Sequence, residues 1–252
     1  MGGGLQGVET AYLARKAGWQ VTMLDRRDLP PGRELAHVFR RTDLVDAAGV
    51  AAVVPRDTDL VFPALENPRA LAALTRWARH ASMPLVFDPP AYWRSASKLG
   101  SNRLMARLGL PLPGAWPGCG LPVVVKPNRG SGSAGVWVLR TVDQIPPEMA
   151  RGGIPQGWVC QAFVPGPTFS LEVIGDGRRY QPLQVTDLSM DAAYDCKRVA
   201  APSRLPEHLV RRLEGFAVTV AGALRLRGLM DVEVVRRGDR LEVLEIDARI
   251  PS

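Results

Sequence analysis

Two kinds of apolar pattern alternate through the first ninety or so residues. Val8, Ala11, Tyr12 and Leu13 recur at helical spacing, and Gly18 stops the run, which predicts a helix over 8–18. Residues 21–24 form a short, mostly apolar run ending in Asp25 and predict a buried strand. Further strands are predicted at 50–54, 60–62 and 84–87, with a helix over 69–81. Such alternation implies a parallel sheet with helices packed on it.

After the Pro/Gly-rich stretch 111–120 the pattern changes to strands joined by tight turns, predicted at 123–126, 135–139, 158–163, 169–174 and 180–186. Gly175-Asp176-Gly177 and Arg237-Gly238-Asp239 supply turn residues for antiparallel hairpins. A longer helix over 206–226 precedes a last strand pair at 229–235 and 241–246. No internal repeat or low-complexity tract interrupts this order.

A chain of 252 residues with 46% apolar content can bury one large domain or two modest ones. No stretch approaches the roughly 18 consecutive apolar residues of a spanning helix, and the start lacks a basic, then apolar, then cleavable leader. A cytoplasmic protein with no membrane partner is therefore expected. Cys119, Cys160 and Cys196 are widely spaced and show no metal-ligand pattern, so reduced thiols are the default. The net charge of +7 is scattered, without a basic stripe on any helix. An anionic small-molecule substrate accounts for it without a nucleic-acid partner.

Three groups of residues carry candidate chemistry. Gly2, Gly4 and Gly7 fit G-x-G-x-x-G, with Asp25 placed as a ribose-binding carboxylate would be. That fingerprint needs a preceding strand, and only Met1 precedes it, so a structural glycine turn or a different nucleotide contact also fits. Lys126-Pro127 ends an apolar strand and leads into Gly130-Ser131-Gly132-Ser133-Ala134-Gly135. Such a loop can lay N–H groups and hydroxyls over phosphates while the lysine neutralises their charge; a flexible hairpin loop with a snorkelling lysine has the same sequence signature. It is not a P-loop.

The last strand pair, MDVEVV and LEVLEIDARIPS, holds the densest chemistry. Alternation puts Glu245 and Asp247 on one face, and Glu233 on the neighbouring strand can converge with them. Hard oxygen ligands suit magnesium with phosphate, and Arg249 is two positions on with the same facing. A solvated acidic face of a two-stranded ribbon gives the same pattern.

Lysine before a Ser/Gly loop, followed by a two-strand E…E-x-[ND]-x-R ending, resembles the ATP-grasp superfamily. The segments GGGLQGVETAYLARKAGW, SLEVIGDG, AYDCKRV, GLMDVEVV and LEVLEIDARIPS are more specifically similar to the PylC family of pyrrolysine-biosynthesis ligases. The resemblance implies an α/β chain with a Rossmann-like N-terminal (pre-ATP-grasp) domain over 1–88 and an ATP-grasp α+β region over 89–252. It implies ATP and Mg2+ as cofactors, an acyl phosphate intermediate, and ligation of 3-methyl-D-ornithine through its carboxylate to the ε-amino group of L-lysine.

By position, the resemblance implies that Lys98 and Lys126 hold ATP phosphates under a loop of Gly130, Ser131, Gly132 and Ser133. Gln161, Ala162, Phe163 and Val164 take the adenine and ribose, Glu233, Glu245 and Asp247 the magnesium, and Arg249 with Lys126 the catalytic charge. Leu5, Gln6, Glu66, Ser170, Glu172, Tyr194, Asp195, Asp231 and Arg249 fall in segments that line the amino-acid pocket, and Asp25 and Asp43 could contact a nucleotide. Either Glu172 or Asp195 could accept the amine proton. Three positions depart from the family pattern: Gly4 and Asn102 stand where basic residues are expected, and Gln161 where an acidic one is. The family continues beyond both ends of this sequence, which implies a fragment lacking its first strand and its C-terminal continuation. Two rival readings share most of these features: another ATP-grasp dipeptide ligase, and a nucleotide- or nucleic-acid-binding domain without turnover.

Overall fold

The helical spacing at the start is realised as α1, Leu5–Lys16, which ends on Arg15 and Lys16, well placed against the partial negative charge of a helix C-terminus. The computed structural model describes residues 1–130 and 133–251. These divide into two compact units, Met1–Pro89 with Arg249–Ser252, and Pro90–Ala248.

In the first unit β1 (Thr22–Asp25) pairs in parallel with β2 (Val38–Arg41). Gly2 N–H donates to Leu24 O at 2.8 Å and Ala64 N–H to Met1 O at 2.7 Å, so Met1 and Gly2 run between β1 and the segment near Val61. The strands predicted at 60–62 and 84–87 reduce to one parallel bridge, Val61 with Leu85. The strand predicted at 50–54 is instead part of α2, Ala47–Val53. Its alanine-rich AAGVAAV sequence and the Asp46 cap, which accepts Ala48 N–H, outweigh the β-preference of its valines. α3 (Pro68–His80) starts at Asn67 as cap with Pro68 in its first turn, and buries Ala70, Leu71, Leu74, Trp77 and Ala78 at helical spacing.

The glycine-rich start is a packing requirement of this unit. A Cβ at Gly7 would lie 2.2 Å from Gly2 O, and one at Gly2, where φ is +97°, 2.3 Å from Ala64 O. Backbone on backbone at that distance tolerates only glycine.

The second unit opens with two helices absent from the predicted pattern, α4 (Pro89–Ser95) and α5 (Lys98–Arg107). Among the described residues an antiparallel sheet then follows in the order β4 (Trp137–Leu139), β3 (Val123–Pro127), β5 (Trp158–Ala162), over a small core with Met149 of the short α6 (Pro147–Ala150). The larger antiparallel sheet contains β6 (Thr168–Asp176), β7 (Tyr180–Met190), β8 (Cys196–Ala200), β9 (Arg227–Arg237) and β10 (Arg240–Asp247), in the order β10-β9-β6-β7-β8.

α7 (Glu207–Leu224) covers one face of that sheet, and Leu209, Leu213, Ala217, Val220 and Leu224 pack with Leu171, Val173, Val232, Val234 and Ile246 in one core. Period-two alternation therefore turns Ser170, Glu172, Asp231 and Glu233 to the other face. Among the described residues no helix is long and apolar enough to cross a membrane.

Gly7→Ala is expected to destabilise the first unit by about 1–3 kcal/mol through overpacking, read as an earlier urea transition. Gly215→Ala in α7, where a Cβ meets nothing within 4 Å, is expected to leave stability unchanged or raise it by up to about 1 kcal/mol. Equal midpoints for Gly7→Ala and the parent chain would contradict this packing account.

Candidate active site

Two lysines from different elements of the second unit are buried close to the same carboxylates. Ser97 caps α5 by accepting Gly100 N–H, and Lys98 is the first residue of that helix. Asn128, just after β3, fixes this end: its side-chain oxygen accepts Leu99 N–H at 2.8 Å and the Ser97 hydroxyl at 3.1 Å, and its carbonyl accepts Lys98 N–H. Lys98 Nζ then donates to Gly130 O at 2.8 Å and pairs with Glu245 Oε1 at 2.7 Å. Lys126 comes from β3, and it and Lys98 are each only 8% exposed. Burial pushes the Lys126 ammonium below the usual lysine range; Glu245 opposes this, Lys98 adds to it, and Glu233 opposes it again.

Strand register lays the acidic residues out in two rows. Ser170, Glu233 and Glu245 are successive cross-strand partners on β6, β9 and β10, and Glu172, Asp231 and Asp247 form the next row. Glu233 directly opposite Glu245 is a like-charge pair, unfavourable unless cations lie beside it, and the two lysines supply that charge. The ladder slips between Val243 and Glu245, leaving Leu244 as an extra residue. Leu244 O, released from regular pairing, accepts Lys126 Nζ at 3.4 Å. Among the described residues no three His, Cys, Asp or Glu side chains form a metal cluster by themselves. Two facing carboxylates remain a suitable donor set for magnesium, which characteristically keeps waters and phosphate oxygens rather than an all-protein cage.

Of the predicted adenine segment, Gln161 is buried on β5 and accepts Asn102 Nδ2 at 3.3 Å. Two of the departures from the family pattern are thus in contact, a neutral amide pair at positions where opposite charges are expected. Ala162 N–H bonds Gly114 O and Phe163 N–H bonds Pro122 O, which fixes the segment leading to Val164. Ser133 Oγ donates to Tyr194 O at 2.6 Å, Arg140 Nη2 to the Tyr194 hydroxyl at 3.1 Å, and the Arg140 guanidinium lies 5.2 Å from the Phe163 ring centre. Tyr194 therefore meets the glycine-rich turn and Phe163, while Asp195 pairs with Lys197. Ser131 and Gly132 lie outside the described residues.

In the first unit, Gln6 Nε2 donates to Glu66 Oε1 at 3.2 Å, and Arg249 Nη2 pairs with Glu66 Oε1 at 2.8 Å. Three predicted pocket residues are thereby brought together, whereas Leu5 is exposed at the start of α1. Asp25 accepts Gly3 N–H at 2.7 Å and three N–H groups of Arg27 at 2.8–3.0 Å. Past the C-terminal ends of β1 and β2, Arg26, Arg27, Arg41, Thr42 and Asp43 line a cleft of about 690 Å3. The buried Thr42 hydroxyl has no hydrogen-bond partner among the described residues.

A profile of the ATP-grasp domain matches residues 96–252. The chain belongs to the ATP-grasp family. Over its whole length it is 32% identical to the 3-methyl-D-ornithine–L-lysine ligase of Methanosarcina acetivorans and 31% identical to that of Methanosarcina mazei. It spans 66% and 65% of those two proteins. A D-alanine–D-alanine ligase of Cereibacter sphaeroides is 31% identical over 116 residues, 43% of this chain and 36% of that protein. Among solved structures, an ADP complex of N5-carboxyaminoimidazole ribonucleotide synthetase superposes with a TM-score of 0.81 at 20% identity, covering 100% of this chain and 69% of that one. The synthetase from Thermus thermophilus gives 0.78 at 21%, covering 99% and 70%. At such identities the likeness shows a mixed α/β ATP-grasp fold.

Within this ATP-grasp chain, Asn128, Arg140 and Leu244 are site residues that sequence reasoning missed. Asn128 had a signal, a polar residue two positions after Lys126, but its role depends on α5 arriving beside β3. Leu244 had a faint one, the break in alternation at Val243-Leu244, but which carbonyl the bulge frees and what it meets is tertiary.

The environment of Asp25 gives a pH test. Burial alone would raise its pKa, but the bonds from Arg27 and from the Arg27 and Gly3 N–H groups prevail and hold it at about 2, against 3.8 for an ordinary aspartate. A depressed folded-state value stabilises the fold above the unfolded pKa, and that stability fades as pH falls through the folded one. Asp25→Asn is expected to cost about 1–2 kcal/mol at pH 7, with the gap to the parent chain closing between about pH 4 and 2. A gap independent of pH over that window would show that the Asp25 charge contributes nothing.

Proposed function

We propose that this chain is an ATP-dependent carboxylate–amine ligase that activates a donor carboxylate as an acyl phosphate and transfers it to an amine. The observation that carries this reading is the pair of buried lysines, Lys98 and Lys126, set against the facing carboxylates Glu233 and Glu245. An ammonium pair with reduced access to water neutralises phosphate oxygens more strongly than exposed lysines do.

Lys98 and Lys126 would hold the nucleotide phosphates, covered by Gly130 to Ser133, and Gln161, Ala162, Phe163 and Val164 would receive adenine and ribose. Glu233 and Glu245, with Asp247 in the next row, would hold magnesium, which when bound adds positive charge beside the phosphate oxygens. Lys126 would counter negative charge as the donor carboxylate meets the γ-phosphate in line, and the family resemblance gives Arg249 a catalytic role as well. The attacking amine must be uncharged, so an ammonium with a reference pKa near 10.4 has to give up its proton, and Glu172 or Asp195 would accept it. No covalent enzyme nucleophile is required.

The names of the Methanosarcina relatives support 3-methyl-D-ornithine as donor and L-lysine as acceptor. Ammonium and carboxylate groups of such substrates suit two sets of side chains, Gln6, Glu66 and Arg249 in the first unit, and Ser170, Glu172, Asp231, Tyr194 and Asp195 in the second. The parallel β1–β2 pair and the Val61–Leu85 bridge support a Rossmann-like N-terminal domain over 1–88, followed by the ATP-grasp region over 89–252. In that domain Asp43 and the adjoining arginine-lined cleft would contact a nucleotide phosphate. Asp25 would act indirectly there, because its carboxylate is already engaged by Arg27 and Gly3.

Release of ADP, measured over a panel of amino-acid pairs, is expected to be fastest with L-lysine and a D-ornithine-type donor together. Equal turnover with D-alanine pairs would move the assignment to a dipeptide ligase. Glu245→Gln is expected to lower turnover by about a hundredfold or more at temperatures where the variant is fully folded, while loss of the Lys98 partner lowers its thermal midpoint. Near-normal turnover with the same magnesium requirement would overturn the assignment of Glu245.

A further inference from the structure

The β9–β10 hairpin carries a second concentration of positive charge, at the opposite end of these strands from the Asp231–Asp247 pair. Arg237 and Arg240 are direct cross-strand partners. Like charges so placed repel, and a hairpin end gives no structural reason to choose them. Glu242 is buried and pairs with Arg237 at 2.9 Å, which compensates one of the two charges. Arg240 has no carboxylate partner among the described residues. Neither has Arg212 of α7, whose guanidinium rests over the Phe216 ring at 5.7 Å.

The three arginines line one cleft of about 510 Å3, with the half-buried Leu112 on its wall and the buried Leu241 behind it. Val243 N–H bonds Pro111 O at 2.8 Å, which fixes the 111–114 segment against β10 and keeps the wall in place. Three guanidiniums against one carboxylate leave a local charge of about +2, and the volume falls in the range of roughly 300–1,000 Å3 usual for small-molecule sites. Guanidinium forks match the oxygens of a phosphate in pairs, which a single ammonium cannot do.

We infer that this cleft binds a small phosphate-bearing dianion, separately from the lysine pair. Arg212 and Arg240 grip the phosphate oxygens, Arg237 adds charge from its pair with Glu242, and the half-buried Leu112 meets an apolar portion of the ligand. The inference stands independently of the ligase reading, since none of these residues belongs to the proposed nucleotide site.

Phenyl phosphate, a dianion above its second pKa of about 6 with an apolar ring, is a suitable probe, titrated calorimetrically into the full chain without magnesium. The parent chain should show a binding event that survives Lys126→Met, which removes charge at the lysine pair. The same event should weaken by about tenfold or more in Arg212→Ala/Arg240→Ala, and by less in Arg212→Lys/Arg240→Lys, which keeps the charge and loses the fork. These arginines are exposed, so an unchanged thermal midpoint is expected for both double variants. Superimposable isotherms for the parent and Arg212→Ala/Arg240→Ala, or a single event abolished by Lys126→Met, would overturn the inference.

Discussion

The second unit is organised around charge taken out of water. Two ammonium groups, Lys98 and Lys126, are buried beside Glu233 and Glu245, two carboxylates that face each other across a strand pair. Each half is unfavourable alone: facing carboxylates repel, and burial disfavours the charged form of Lys126. The same need for mutual compensation dictates the local structure. Asn128 joins the start of α5 to the end of β3 so that both lysines arrive together, and the irregularity at Leu244 frees a carbonyl for Lys126.

Groups of this kind are seldom kept for stability, because apolar replacements of buried ion pairs are commonly neutral or stabilising. On the proposed function the arrangement is a preorganised phosphate receptor, in which oriented charge is in place before the nucleotide arrives. The antiparallel sheet suits this division of labour. One face, through Leu171, Val232 and Ile246, belongs to the core under α7, and the other carries the acidic rows. A slip of one residue in register would exchange the two faces, so packing of the core also fixes the chemistry.

Much of this was legible in the sequence, for identifiable reasons. MDVEV and EID alternate well enough to predict both strands and the shared facing of Glu245 and Asp247, although Val243-Leu244 breaks the phase where the ladder slips, and their turn announces itself as Arg237-Gly238-Asp239. The valines of 50–54 misled, since alanine content and the Asp46 cap decide that segment locally. α5 was missed because its apolar positions are sparse, and Lys98 was placed by family resemblance rather than by pattern. Its bond to Glu245 is tertiary, and no local rule reports it. The G-x-G-x-x-G run was ambiguous for the opposite reason: close packing of Gly7 on Gly2 asks for the same glycines that a nucleotide would.

On the proposed reading, the buried lysine pair holds phosphate and is not there to hold the fold. The most direct measurement compares thermal stability and affinity for a non-hydrolysable ATP analogue in Lys126→Met, which keeps most of the side-chain volume and removes the charge. With Lys98 still beside the facing carboxylates, the expected result is a stability loss of no more than about 1–2 kcal/mol together with an affinity loss of about a hundredfold. A destabilised variant that binds the analogue as tightly as the parent chain would contradict it.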